Sequence, residues 1–301
     1  SQYGKTLKQF RHNLYKEANM SNYLKGLNTS ILLHEENFMA LTLKVKTSNA
    51  QTHLFHLQGE ALRDLMMILQ NRLLTLQINS ANDQHSLAAL IEKASQEMAN
   101  NLPLIEPQDV EQPDAGSLVS NLSVIFNEHD FKLLLILKNE SMHHIRVSDA
   151  QIQFIMVAIA RALDNVKNTN LIALLAAGNN YAPVYDAEFN DNGTIDYSVI
   201  EIEQWKLDLF SQFFLIIYGI ESTDGPEMKF GAVIKAHEAI NEEGMDIIAH
   251  HFASKSKRLM PYSNELKSIK TTALALNIAG IPSPKDALQP LAEFYKTLNM
   301  K

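Results

Sequence analysis

Residues 120–138, SNLSVIFNEHDFKLLLILK, repeat the pattern of residues 27–44, LNTSILLHEENFMALTLK. A chain that writes one pattern twice is expected to fold one local unit twice. In a gapless register of 93 residues, Asn28 meets Asn121, Ser30 meets Ser123, Glu35 meets Glu128 and Phe38 meets Phe131. Each copy has a short apolar run, a polar turn (HEEN or NEHD) and a second apolar run rich in Leu and β-branched residues. That is the signature of a strand hairpin.

A polar loop follows, KTSNAQT in one copy and the shorter KNESM in the other. The register past it is 90, which places a three-residue deletion in that loop. A third strand then carries Phe55 and Leu57 opposite Ile145 and Val147. Beyond it the apolar period lengthens from two to nearly four. Leu62, Leu65, Leu69 and Leu73 stand against Ile152, Ile155, Ile159 and Leu163, a helical stripe in each copy. Ser148 is placed to cap the second helix. The fold class is therefore α+β, with two related strand-strand-strand-helix units. A further hairpin-helix and a helical C-terminal part follow. A three-stranded sheet has edges that must be paired or covered, so the copies are expected to join edge to edge or helix to helix about a pseudo-twofold axis.

The pattern divides the chain into residues 1–19, an amphipathic basic extension; 20–100, the first unit with an extra helix; 101–117, a Pro-rich acidic linker or loop; 118–170, the second unit; and 171–301. In the extension, Tyr3, Leu7, Phe10 and Leu14 form a stripe decorated by Lys5, Lys8, Arg11 and Lys16. It reads first as a helix that docks on its own protein or a sister subunit, with a partner-binding or membrane-surface helix as the alternative. Met20 offers an alternative start. In the last region, residues 181–189 and 194–202 flank an Asn-Gly turn and read as a hairpin. A helix with Leu207, Phe210, Phe213 and Phe214 on one side comes next, then a strand at 228–236. Helices are expected at 242–257, 263–279 and 284–298, the last opened by Ser283-Pro284.

Composition sets outer limits. The 301 residues carry no cysteine and a net charge of −8. Thiolate metal sites, disulfides and cysteine nucleophiles are excluded. An acidic balance gives no bulk attraction to nucleic acid. No apolar run approaches the roughly 20 residues needed to span a bilayer, and no leader pattern is seen. A cytoplasmic protein without membrane association fits these features.

Histidine is the richest source of chemistry, with eleven residues. The stretch KAHEAINEEG (235–244) opens like a zinc-protease helix, but Asn241 stands where the second ligand belongs. Asp246 and His250, four apart on a helix, could share a metal with His237 or His251; an exposed carboxylate–imidazole pair is the plainer account. His53 and His143 are equivalent across the repeat and could meet on its axis. Lys255, Lys257, Arg258, Lys267 and Lys270 form the densest basic patch, a candidate phosphate or nucleic-acid contact without aromatic interleaving. It reads first as a basic helix end. Paired acids at 35–36, 201–203 and 242–243 show no cleft geometry. No phosphate loop, dinucleotide fingerprint or nucleophile elbow occurs, and no cofactor is implied. The reading that follows is a non-enzymatic, self-associating or protein-binding assembly protein. The alternative is an enzyme or nucleic-acid-associated protein that uses the C-terminal His, acidic and basic residues.

Overall fold

A computed structural model of the protein describes residues 22–164, 166, 171, 175, 178–222, 225–265, 270–278, 280 and 282–299. The extension stripe Tyr3, Leu7, Phe10 and Leu14, and also Lys267, lie outside the described residues. The chain forms two compact units, Ser1–Leu175 and Ala176–Lys301.

The first unit contains the duplication. Strands β1 (Leu24–His34), β2 (Asn37–Thr47) and β3 (Thr52–Leu57) make an antiparallel sheet, followed by helix α1 (Gly59–Asn79). After α2 (Gln84–Asn100) and the short α3 (Pro107–Glu111), the order repeats. Strands β4 (Val119–Phe126), β5 (Asp130–Leu137) and β6 (Met142–Ser148) lead into α4 (Ile152–Leu163). Strict alternation is clearest in β5, where Phe131, Leu133, Leu135 and Leu137 are buried and Lys132, Leu134 and Ile136 only half so. Ser148 and Gln151 form a capping box on the turn entering α4.

The structural register corrects the sequence alignment. Thr47 N–H donates to Gln51 O and Leu137 N–H to Ser141 O, at 3.0 and 2.9 Å, so the two β2–β3 and β5–β6 turns have the same length. No deletion falls there. Instead, Ile31 pairs with Leu41 while Phe126 pairs with Phe131, so the tip of the first hairpin is five residues longer in the first copy. Strand β1 maps onto β4 at an offset of 95 (Leu24 to Val119), and β2, β3 and α1 map at 90 (Leu41 to Phe131, Leu62 to Ile152). The counterpart of fully buried Phe131 is fully buried Leu41, not half-buried Phe38. The gapless 93 lies between the true offsets. It errs by two residues in β1, which preserves the face, and by three in β2, which reverses it.

The two copies pair at both edges. Tyr23, just before β1, forms a parallel bridge with Arg146 on β6, and the equivalent Leu118, just before β4, bridges His56 on β3. Ser48 N–H donates to Tyr23 O, and its equivalent Lys138 N–H to Leu118 O, both at 2.8 Å. These matched seams, one bridged residue pair each, bring the two three-stranded sheets together as a six-stranded ring with a pseudo-twofold axis along it. Its interior is one core shared by both copies, in which Leu43, Val45 and Phe55 line a cavity of about 30 Å³ together with Leu133, Leu135 and Ile145. Each helix packs on the first strand of the other copy: α1 on β4, and α4 on β1, where Thr29 Oγ1 donates to Ala158 O at 2.8 Å.

The second unit is a five-stranded antiparallel sheet in the order β11-β9-β10-β7-β8. Its strands are β7 (Tyr181–Phe189), β8 (Ile195–Val199), β9 (Gln212–Ser222), β10 (Gly225–Ala236) and β11 (Lys270–Leu276). Two expected helices are strands. The helix reading of Phe213 and Phe214 fails because only Gln204–Asp208 (α5) is helical. The run from Phe213 to Ile220 is aromatic and β-branched and becomes a central strand apolar on both faces. The helix expected over 263–279 is instead the short 3₁₀ segment Met260–Glu265 followed by β11, whose TTALAL has period two. Helix α6 (Glu242–Lys255) covers one sheet face, placing Met245, Ile248 and Phe252 against Tyr218, Phe230 and Ile234. Helix α7 (Pro284–Asn299) covers the other, where Tyr295 stacks on Phe189 at 4.0 Å and Leu291 lies over Gly231. No helix among the described residues is long and apolar enough to cross a membrane.

Candidate functional site

Side chains two apart on a strand share a face, so His53 and Phe55 both look into the ring, as do His143 and Ile145. The duplication therefore brings two imidazoles to the axis. The rings of His53 and His143 are 5.0 Å apart between centroids, edge to face, and Phe55 lies 5.3 Å beneath His143. Both histidines are half-buried. Burial holds each below the ordinary value of 6.5, and for His53 the neighbouring His143 adds to the effect. Among the described residues no carboxylate acts on either in the opposite sense. Ser141 Oγ lies 3.2 Å from His143 Nε2. The pair is thus two imidazoles, each made harder to protonate by burial, facing each other at the end of an apolar core.

Two further histidines flank it. His56 is buried at the β3–β4 seam, with Nδ1 2.9 Å from the buried hydroxyl of Thr42, while its Nε2 has no hydrogen-bond partner among the described residues. Burial lowers its pKa, and Asp109 and Asp114 oppose that effect. Asp109 is itself held by Lys44 at 2.8 Å, which fastens α3 over β2. His144 is depressed by burial and then by Lys132 and His143.

In the second unit, the residues named from sequence come together only in part. Asp246 and His250 do meet: His250 Nδ1 lies 3.3 Å from Asp246 Oδ1 and 2.8 Å from Asp246 O. His251 instead shares a hydrogen bond of 2.8 Å with the buried Tyr181 hydroxyl. His237 is buried, and its Nδ1 accepts from Ala239 N–H at 3.3 Å. Among the described residues no three His, Asp or Glu side chains form a group able to hold a metal. Lys255 and Lys257 are exposed, whereas Arg258 donates to Ser198 Oγ at 3.0 Å and lies 3.7 Å from Glu188. Lys270 begins β11.

A groove of about 490 Å³ runs between α6 and β11, lined by Phe214, Ile240, Met245, Asp246, Thr271 and Ala273. Asp246 also accepts from Thr271 Oγ1 at 2.8 Å. Sequence reasoning missed this groove because it took β11 for a helix. It also missed the ion pair between Arg72 and Asp149, for 77 residues separate the partners and no periodicity links them. The β3 and β6 histidines were legible, since equivalence across a repeat is itself a spatial signal.

A family model described as YjeJ-like matches residues 20–301, spanning both copies of the repeat and the second unit. A curated relative from Escherichia coli (strain K12), named "Uncharacterized protein YjeJ", is 27% identical over 255 residues, covering 82% of this chain and 83% of its own length. No solved structure matches the chain.

Proposed function

The chain belongs to the YjeJ-like family, and from that premise we propose that it is a non-enzymatic assembly protein that associates with a second copy of itself through β11. One observation carries this reading. Strand β11 is bonded along its length to β9, and its other edge meets no strand among the described residues. An open edge is a template for another strand unless charge, proline or a bulge guards it. The opposite edge, β8, has the exposed Asp196 as such a guard. In β11 the sequence KTTALAL has one charge, at its first residue, and Ala273, Leu274 and Ala275 are exposed. Antiparallel pairing of β11 with its own copy about Ala273 sets Lys270 opposite Leu276, so no like charges meet. The groove beside it, part apolar (Phe214, Ile240, Met245) and part polar (Asn241, Glu242, Asp246), gives the partner a surface to cover. In the first unit, by contrast, the two copies already meet each other at one bridge on each edge. A chain without cysteine is compatible with work in a reducing cytoplasm.

Mass in solution by light scattering tests the reading. The expected result is a dimer that becomes monomeric in Leu274→Lys and in Ala273→Pro with unchanged circular dichroism. Removal of residues 1–19 is expected to leave it intact. A wild-type monomer at every concentration, or a dimer indifferent to both substitutions, overturns it. Dissociation on truncation would move the interface to the N-terminal extension.

One observation favours the alternative, an enzyme or nucleic-acid-associated protein: the Asp246–His250 pair and Thr271 adjoin the same groove. Nucleic-acid contact through Lys255, Lys257 and Arg258 predicts a gel shift at low salt that weakens as salt rises.

A further inference from the structure

Independently of the β11 interface, we infer that the axis of the six-stranded ring is a binding site for a divalent transition-metal ion, with His53 and His143 as its two protein ligands. Imidazole nitrogen suits zinc, nickel and copper, and it binds them in its neutral form.

The spacing fits one ion held by both. A zinc–nitrogen bond is about 2.1 Å, and a ring centroid sits about 1.1 Å behind its nitrogen, so two imidazoles on one tetrahedral ion have centroids about 5 Å apart. The observed separation is 5.0 Å. The final torsion of histidine is broad, so both rings can turn a nitrogen to a common point without strand movement. Among the described residues His53 makes no side-chain hydrogen bond that coordination would have to break. His143 has one weak partner, Ser141 Oγ at 3.2 Å, which stands where a third oxygen ligand or a bound water would be held. The interior side is apolar, with Phe55 and Ile145 beneath, so the remaining positions open outward. A two-histidine site with solvent-filled positions is an exchangeable site rather than a structural one.

The arrangement also explains an asymmetry. The neighbouring strand positions have diverged: His56 corresponds to Arg146, Thr42 to Lys132 and Leu54 to His144 at the 90-residue offset, although Leu43 and Leu133 are the same residue. At the axis both copies present the same residue, as one ion shared across a twofold axis requires.

Calorimetric titration of the full chain with Zn²⁺ at neutral pH tests the site. One equivalent should bind in wild type, and His53→Gln and His143→Gln should each weaken it about tenfold or more. His250→Gln should leave it unchanged, and affinity should fall as pH drops below 6.5. As a readout that needs no variant, Zn²⁺ should slow diethyl pyrocarbonate modification of His53 and His143 in the wild-type chain, located by peptide mass. Zinc binding indifferent to both variants, or equal modification with and without zinc, overturns the inference.

Discussion

Asp149 is a residue whose removal should strand a buried charge in the first unit. Its carboxylate receives Arg72 twice, from Nε at 3.0 Å and Nη2 at 2.6 Å, and the side chains are only 12% and 8% exposed. The pair ties helix α1 of the first copy to the turn entering α4 of the second. Burial pushes the Asp149 carboxyl above its ordinary 3.8, more strongly than Arg72 pulls it down. A carboxyl raised on folding contributes stability below its unfolded pKa and loses that contribution as pH rises through the folded value. At neutral pH the ionised group is therefore tolerated because of Arg72 rather than being a source of stability.

Removing one partner leaves a buried charge, which costs about 3–5 kcal/mol. In Asp149→Ala the guanidinium keeps Asn127 O at 2.9 Å and Asp130 O at 3.3 Å, so about 3 kcal/mol is expected. Replacing both partners with apolar side chains, R72M/D149L, should cost less than either single change, since no charge is then stranded. Urea unfolding followed by far-ultraviolet circular dichroism measures all three. Fluorescence is the wrong probe, because Trp205 is the one tryptophan and lies in the second unit. A loss below about 1 kcal/mol for Asp149→Ala, or single losses that simply add in the double variant, refutes the reasoning.

Other perturbations are equally specific. Because burial lowers His53 and His143, their contribution to stability is present above pH 6.5 and lost as pH falls below it; His143→Asn should flatten the urea midpoint between pH 7.5 and 5.5, and an unchanged slope would contradict the assignment. A Cβ at Gly26 would meet Asn101 O at 1.8 Å, so Gly26→Ala should destabilise by several kcal/mol or abolish folding. At Gly193 the space is open and only φ of +82° resists, so Gly193→Ala should cost about 1 kcal/mol. The equivalent turn residues Ala50 and Glu140 have φ of 60° and 68°, and replacing each with Gly should stabilise by up to about 1 kcal/mol in thermal unfolding. Glu35 and Glu36 both have positive φ in a two-residue hairpin turn, so E35N/E36G should raise stability by a similar amount; a decrease would exclude that turn geometry.

The sequence alone determined the duplicated strand-strand-strand-helix order, the helix stripes and the Ser148 and Ser283 caps. These follow from local periodicity and local hydrogen bonding, which neighbouring residues specify. It also made His53 and His143 equivalent. Only the tertiary structure decided the register of the first two strands of each copy, because a five-residue change at a hairpin tip moves side chains between faces without changing composition. It decided that Phe213–Ile220 and Thr271–Leu276 are strands, since central burial overrides the weak helical spacing of Phe210, Phe213 and Phe214. The Arg72–Asp149 pair, the ring closed by Tyr23 with Arg146 and Leu118 with His56, and the open edge of β11 depend on partners far apart in the chain. No pattern within a strand or helix encodes them; they exist because two copies of one unit share a single core.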